Sequence, residues 1–282
     1  MTANLIDAHH HLWDLDVRDQ PWLTGPDLAP LRRSFLAADF ADAAGPAGVV
    51  SSVVVQTVTD PDETPELLAT AEDSPLILGV VGWTDLTAPD AADRLARLRA
   101  GRGGDRLVGI RHQVQGEPDP DWLTRPDVLR GLAAVAAAGL VYDLVVTAGQ
   151  LPAATRAAAA VPDLRFVLDH LGKPPIASGQ LEPWACAVRD LAALPNTVCK
   201  LSGMVTEADW HHWTPAGLRP YADTVLDAFG PDRVMFGSDW PVCTLAASYD
   251  EVVATAGELT AALTEAERRS VFAGTAADVY GL

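Results

Sequence analysis

Eight short runs of aliphatic and β-branched residues, separated by stretches of helical periodicity, constrain this chain more than any other feature. They fall at 4–9, 53–57, 76–83, 107–112, 141–146, 164–169, 197–201 and 233–238. After the first gap they recur roughly every thirty residues. Most are near-continuously apolar rather than alternating, which is the pattern of strands buried on both faces. Between them, 91–100, 128–138, 151–160, 184–193 and 220–229 carry Ala, Leu and Arg at helical spacing. Gly139, Gly230 and Pro-Asp or Pro-Asn pairs close these helices. A final helix is expected over 265–280, and segment 14–34, rich in Pro, Gly and Asp and carrying Trp22, reads as a loop over the first strand. An eightfold strand–helix alternation in 282 residues is the rhythm of a single (β/α)8 TIM barrel spanning 1–282. A doubly wound sheet is the alternative, but no GxGxxG follows the first strand and no composition break marks a second domain.

Charge and cysteine usage narrow the partners. No apolar run reaches the roughly 20 residues of a membrane span. The first residues lack a basic segment followed by an apolar one, so no signal peptide is expected. A net charge of −18 argues against nucleic acid or an anionic membrane surface. The expected partner is a small-molecule substrate, with a homo-oligomer left open. Cys186, Cys199 and Cys243 are odd in number and form no CxxC pair, which points to a reducing, cytoplasmic setting without disulfides.

In a barrel of this kind the chemistry sits at the C-terminal ends of the strands. The first strand ends in His9-His10-His11, where His9 and His11 share a face and His10 points away. The third ends near Trp83 and Asp85, the fourth in Arg111-His112-Gln113, and the fifth contains Tyr142-Asp143. The sixth ends in Asp169-His170-Leu171-Gly172-Lys173, the seventh in Lys200-Leu201-Ser202-Gly203, the eighth in Gly237-Ser238-Asp239-Trp240. Five of the seven histidines fall in this set, with His211 and His212 in the loop after the seventh strand. So do both lysines, the only two among 20 basic residues. That clustering favours a catalytic site over a scaffold. An HxH pair, a later His and a final Asp can hold Zn²⁺, Mn²⁺ or a related ion, and Asp239 is placed to accept a proton from water.

Plainer roles compete for several of these residues. His10 reads as structural, and His211 and His212 need no role. Lys173, in Gly-Lys-Pro-Pro, reads rather as a cap on the sixth strand's loop. Arg111 is as readily the ion-pair partner of Asp143 as a substrate ligand, since buried Arg is normally paired. Trp22, Trp83, Trp210 and Trp240 are either a wall for a sugar ring or ordinary packing.

The blocks Ile-Asp-Ala-His-His-His-Leu-Trp-Asp (6–14), Gly-Ile-Arg-His-Gln (109–113), Leu-Asp-His-Leu-Gly-Lys-Pro (168–174), Lys-Leu-Ser-Gly-Met (200–204) and Phe-Gly-Ser-Asp-Trp-Pro-Val (236–242) resemble the amidohydrolase superfamily. Within it they are most similar to the branch of sugar-acid and aromatic-pathway lactonases, over essentially the whole chain. The resemblance implies water-driven opening of a lactone, most readily a sugar-acid lactone, with Asp239 as general base. It also implies either one divalent ion or a metal-free site. The ion's ligands would be His9 and His11, joined by His170 and Asp239. His170 and Arg111 complete the expected catalytic set, while Lys200, His112, Trp83, Trp22 and Tyr142 are the expected substrate contacts. Binuclear members use a carboxylated Lys on the fourth strand and a His on the fifth. Arg111-His112 and Val145-Val146-Thr147 stand there instead, so a two-metal site is not expected. A metal-dependent decarboxylase of the same superfamily, a non-catalytic carbohydrate-binding barrel and an amide hydrolase are the rival readings.

Overall fold

All eight apolar runs are strands of one parallel sheet in the computed structural model, which describes residues 4–282. The strands are β1 Leu5–His10, β2 Val49–Val55, β3 Ile77–Gly82, β4 Leu107–His112, β5 Val141–Leu144, β6 Phe166–Leu168, β7 Thr197–Leu201 and β8 Val234–Phe236. They pair strictly in chain order. A parallel bridge between His10 and Trp240 closes the seam between β8 and β1. There the His11 N–H donates to the Trp240 carbonyl at 2.7 Å and the Asp239 N–H to the His9 carbonyl at 2.8 Å. Barrel closure and the placement of His9, His11 and Asp239 are therefore one set of hydrogen bonds. The expected TIM barrel is what the chain forms.

The outer ring comprises α1 Ala37–Ala44, α2 Glu63–Asp73, α3 Ala91–Ala100, α4 Pro126–Ala137, α5 Leu151–Ala160, α6 Trp184–Ala192, α7 Met204–Glu207, α8 Pro215–Phe229, α9 Tyr249–Leu259, α10 Glu265–Arg269 and α11 Thr275–Tyr280. Three boundaries differ from expectation. β2 starts at Val49, because Ser51 and Ser52 sit inside the strand although they interrupt its apolar run. α8 starts at Pro215, behind a Thr214 cap that accepts from the Gly217 N–H, and runs through Pro220. The final helix is broken by a wider turn at Ser270–Gly274.

The core has two layers. The larger packs the helices on the outside of the sheet, around Phe40, Phe166 and Trp184. The smaller lies inside the barrel, where Val53, Val81, Val141, Val167, Val198 and Met235 meet Val279 and Tyr280 of α11. Ile6 and Ala8 belong to this inner layer, yet His9 also faces inward, against Lys200 and Asp169. The irregular register of β1 between Asp7 and His10 reverses the alternation there.

Candidate active site

Above the inner apolar layer, the strand ends bring four ligand-type atoms together. His9 Nε2 and His11 Nε2 lie 3.1 Å apart. Asp239 Oδ1 lies 3.4 Å from His11 Nε2, 3.7 Å from His9 Nε2 and 3.8 Å from His170 Nε2. Ligands at about 2.0–2.2 Å around one tetrahedral ion sit roughly 3.3–3.6 Å from one another. The spacing thus fits a single divalent ion, and His9, His170 and Asp239 form a recognisable metal-binding triplet. The outer nitrogens are anchored as ligating imidazoles require. His11 Nδ1 donates to the Val55 carbonyl at 2.7 Å, which leaves its lone pair on Nε2, and His170 Nδ1 is 2.9 Å from Ser202 Oγ.

Burial keeps the imidazoles neutral, which is the form that binds metals. It pushes His9 well below the ordinary histidine range, with the Asp169 carboxylate opposing the shift. It pushes His170 down to about 4 against the pull of Asp239. For Asp239 burial acts upward, but attraction to His170 and a hydrogen bond from His11 outweigh it and hold the carboxyl below its usual value. Asp239 is therefore an ionised carboxylate beside two imidazoles, His9 and His170, that burial keeps neutral.

The backbone is strained where this geometry is set. His170, Leu171, Gly172 and Lys173 run consecutively at φ of 52°, 56°, 71° and 52°, and Asp239 sits at 59°. Each non-glycine residue held there costs on the order of 1–3 kcal/mol, so surrounding contacts must enforce it. Trp184 Nε1 does so by donating to the Leu171 carbonyl at 2.8 Å. Glycine provides the clearance beside it: a Cβ on Gly203 would lie 2.6 Å from His170 Nδ1, and one on Gly237 would lie 2.6 Å from His9 Cβ.

Beneath the quartet lies a fully buried ion network. Lys200 Nζ is 2.5 Å from Asp143 Oδ2, 3.0 Å from Asp169 Oδ1 and 3.1 Å from His9 Nδ1. Tyr280 donates its hydroxyl to Asp143 at 2.9 Å. Arg111 pairs with Asp169 at 3.0 Å, not with Asp143 as expected, because Lys200 reaches Asp143 from across the barrel. A second Arg111 nitrogen donates to the Gln56 carbonyl, and its Nε has no partner.

A cleft of about 240 Å³ opens above, lined by His11, Trp22, Arg111, His170, Lys173, Glu207, Trp210 and Asp239 among others. Several expected substrate contacts lie elsewhere. Arg111 faces inward, so its neighbour His112 faces out. There His112 stacks on Trp122 at 4.2 Å, bonds Glu117 at 2.7 Å and accepts from Trp83 Nε1 at 2.9 Å. Tyr142 likewise alternates with Asp143 and packs edge-on against Phe166. Lys200 faces inward but lies below the cleft, and Trp240 packs on Phe35 and Phe40. Trp22 and Trp210 alone of the expected tryptophan wall reach the cleft. Lys173 caps its own loop, its N–H donating to the His170 carbonyl at 2.8 Å, and its side chain also lines the cleft, where it pairs with Glu207, a residue no sequence motif flags. His10 is structural, stacked at 3.6 Å on Phe40, and His211 and His212 are exposed. A larger, mostly apolar hollow of about 410 Å³ beside α1 and α2 carries no convergent imidazoles. Among the described residues, no helix is long and apolar enough to cross a membrane.

Comparison with known proteins agrees with this geometry. A family model described as amidohydrolase matches residues 6–282. The chain is 42% identical to an L-fucono-1,5-lactonase of Burkholderia multivorans, over 100% of this chain and 97% of that relative. It is 40% identical to an L-fucono-1,5-lactonase of Burkholderia ambifaria, over 87% and 83% respectively. A crystal structure of an amidohydrolase from Burkholderia multivorans with bound zinc matches at a TM-score of 0.94 and 42% identity, covering 99% of this chain and 100% of that one. A match that begins in β1 and runs to the last residue, on a barrel with His and Asp at the expected strand ends, places this chain in the amidohydrolase family.

Proposed function

We propose that this protein is a hydrolase that opens a sugar-acid lactone with water, Asp239 acting as general base and residues 1–282 as one catalytic unit. One observation carries the reading: an ionised, cleft-facing carboxylate lies 3.4–3.8 Å from the Nε2 atoms of three buried imidazoles. An ion held by His9, His11 and His170 with Asp239, such as the zinc of the Burkholderia multivorans structure, supplies a Lewis acid when bound. Asp239 Oδ1 takes the proton of the attacking water and returns it to the departing ring oxygen. Arg111, which lines the cleft, donates to the carbonyl oxygen as charge develops on it. Trp22 and Trp210 cover the apolar face of the ring. The lactonase names of the 42% and 40% identical relatives support the substrate class. Three free thiols, two of them buried, support a cytoplasmic setting.

The test is a pH-indicator assay of ring opening across sugar 1,4- and 1,5-lactones, with and without chelator. The Asp239→Asn protein serves as a blank for spontaneous opening. Loss of the general base should lower turnover by about 10²–10⁴-fold. Near-normal turnover by Asp239→Asn refutes the base assignment. Silence of the native protein across the panel, with CO₂ release from acidic substrates, moves the reading to the decarboxylase.

A further inference from the structure

Two cleft residues have no part in that mechanism, and they face each other. Lys173 ends the strained turn after β6, and Glu207 ends α7 in the loop after β7. Lys173 Nζ lies 3.1 Å from Glu207 Oε1, with the two side chains 26% and 25% exposed. An ion pair this exposed contributes little to folding. Nevertheless the backbone holds Lys173 at a φ of 52°, a conformation that disfavours the fold by itself. That conformation serves the turn, since the Lys173 N–H caps it on the His170 carbonyl; what points to function is the two side chains, which line the cleft and add little to stability.

We propose that the Lys173–Glu207 pair sets the substrate specificity of this cleft. It reads adjacent hydroxyls of a neutral, polyhydroxylated lactone and rejects rings that carry a carboxylate. The proposal rests on the lactonase reading and specifies the substrate within it.

Charge balance is the reason. A ring carboxylate held by the protein needs a cationic side chain that is not already committed, and each such side chain in or under the cleft has its own carboxylate. Arg111 has Asp169, Lys200 has Asp143 and Asp169, and Lys173 has Glu207. An acidic ring would have to break one of these pairs while facing the negative charges of Glu207 and Asp239. A pair of neighbouring hydroxyls fits without that penalty: one accepts from the ammonium, the other donates to the carboxylate, and net charge is unchanged. The same balance favours turnover. Water adds across the acyl–oxygen bond, the ring opens to an acid that ionises, and the new carboxylate meets no cationic side chain that lacks a carboxylate partner.

The test compares wild type, Glu207→Gln and Lys173→Met on two substrates. One is a neutral sugar lactone; the other is the same ring bearing a carboxylate on its exocyclic carbon. Loss of a charge-assisted hydrogen bond in Glu207→Gln should raise KM for the neutral lactone about ten-fold, with kcat changed much less. The kcat/KM ratio of acidic to neutral lactone should rise by about ten-fold or more as the repelling charge is removed. Lys173→Met should raise KM similarly but give no gain on the acidic ring. Unchanged KM and an unchanged ratio in Glu207→Gln, with wild type active, overturn the specificity assignment alone. A wild type that opens no lactone overturns the lactonase reading and this proposal together. Melting temperatures near that of wild type separate these outcomes from misfolding; should Glu207→Gln melt early, the KM of Lys173→Met decides.

Discussion

Lys200→Met tests the buried network more directly than any other change. The ammonium is fully buried, bonded to Asp143 at 2.5 Å and Asp169 at 3.0 Å, and lies 3.1 Å from His9 Nδ1. Methionine keeps the length and most of the volume but removes the charge. Asp143 is then left with the Tyr280 hydroxyl alone, and Asp169 with Arg111. Breaking a buried ion pair from one side costs about 3–5 kcal/mol, since it strands a charge that cannot return to water. Unfolding entropy for a chain of this length is about 0.6 kcal/mol per degree, so the melting temperature should fall by roughly 5–8 °C. Burial already pushes the Asp143 carboxyl up to about 6 with Lys200 opposing that shift. Without Lys200 it takes up a proton at neutral pH, which places the loss toward the lower end. Calorimetry at one scan rate gives the shift, and the Lys200→Met/Asp143→Asn double variant closes the argument by removing the stranded carboxylate. The double variant should melt above the single one. A single variant within about 2 °C of wild type, or a double variant that melts lower still, refutes the ion-network account.

Two further expectations follow from the same coordinates. Gly203→Ala places a Cβ 2.6 Å from His170 Nδ1 at a φ of +64°, so His170 must leave its Ser202 bond. Metal content by elemental analysis and turnover should both fall, turnover by about ten-fold or more, whereas a merely strained turn would lower stability and leave both intact. Asp7 is fully buried, and burial pushes its carboxyl up to about 6 against hydrogen bonds from Ser238, His9 and Tyr249. A folded-state value above the unfolded one of about 3.9 means its contribution is complete below pH 4 and lost as pH rises through 6. Asp7→Asn should flatten that segment of the stability–pH curve measured by urea unfolding, and an unchanged slope would contradict it.

Strand parity decides how much of this site could be read in the sequence. His9, His11, His170 and Asp239 were legible because each sits at a strand end, where the barrel puts its chemistry. The same rule, applied strictly, excludes two expected contacts. Arg111 and His112 cannot both face inward, nor can Tyr142 and Asp143, and in each pair the charged residue takes the interior. The β1 irregularity was hidden, since Ile6, Ala8 and His9 all reach inward and no residue between them signals the reversal. The partner of Arg111 was also beyond local pattern. Register sets Arg111 beside Asp143, yet a lysine 89 residues further along captures Asp143 and leaves Asp169 to the arginine. Glu207 had no signal at all, because specificity on barrel loops follows loop geometry rather than strand rhythm.

The charges inside the barrel support Asp239, and not one of its neighbours, as the proposed base. Lys200 and Arg111 supply two cations, and Asp143 and Asp169 supply two carboxylates, all held within the network by contacts of 2.5–3.0 Å. That set is neutral and closed. Asp143 and Asp169 therefore have no charge to offer a substrate, and Asp169 is held well below the carboxylate range by Lys200, His9 and Arg111 in spite of its burial. Asp239 stands outside the set. Its nearest polar side chains are the His9, His11 and His170 imidazoles, the pull of His170 and His11 holds it ionised in spite of burial, and it lines the cleft. A cation or a water proton is what such a carboxylate attracts. The buried pairs beneath it are weak contributors to stability. Their structural effect is to hold Asp169 and Lys200 against His9 Nδ1 and to leave Asp239, outside the network, as a carboxylate that lines the cleft.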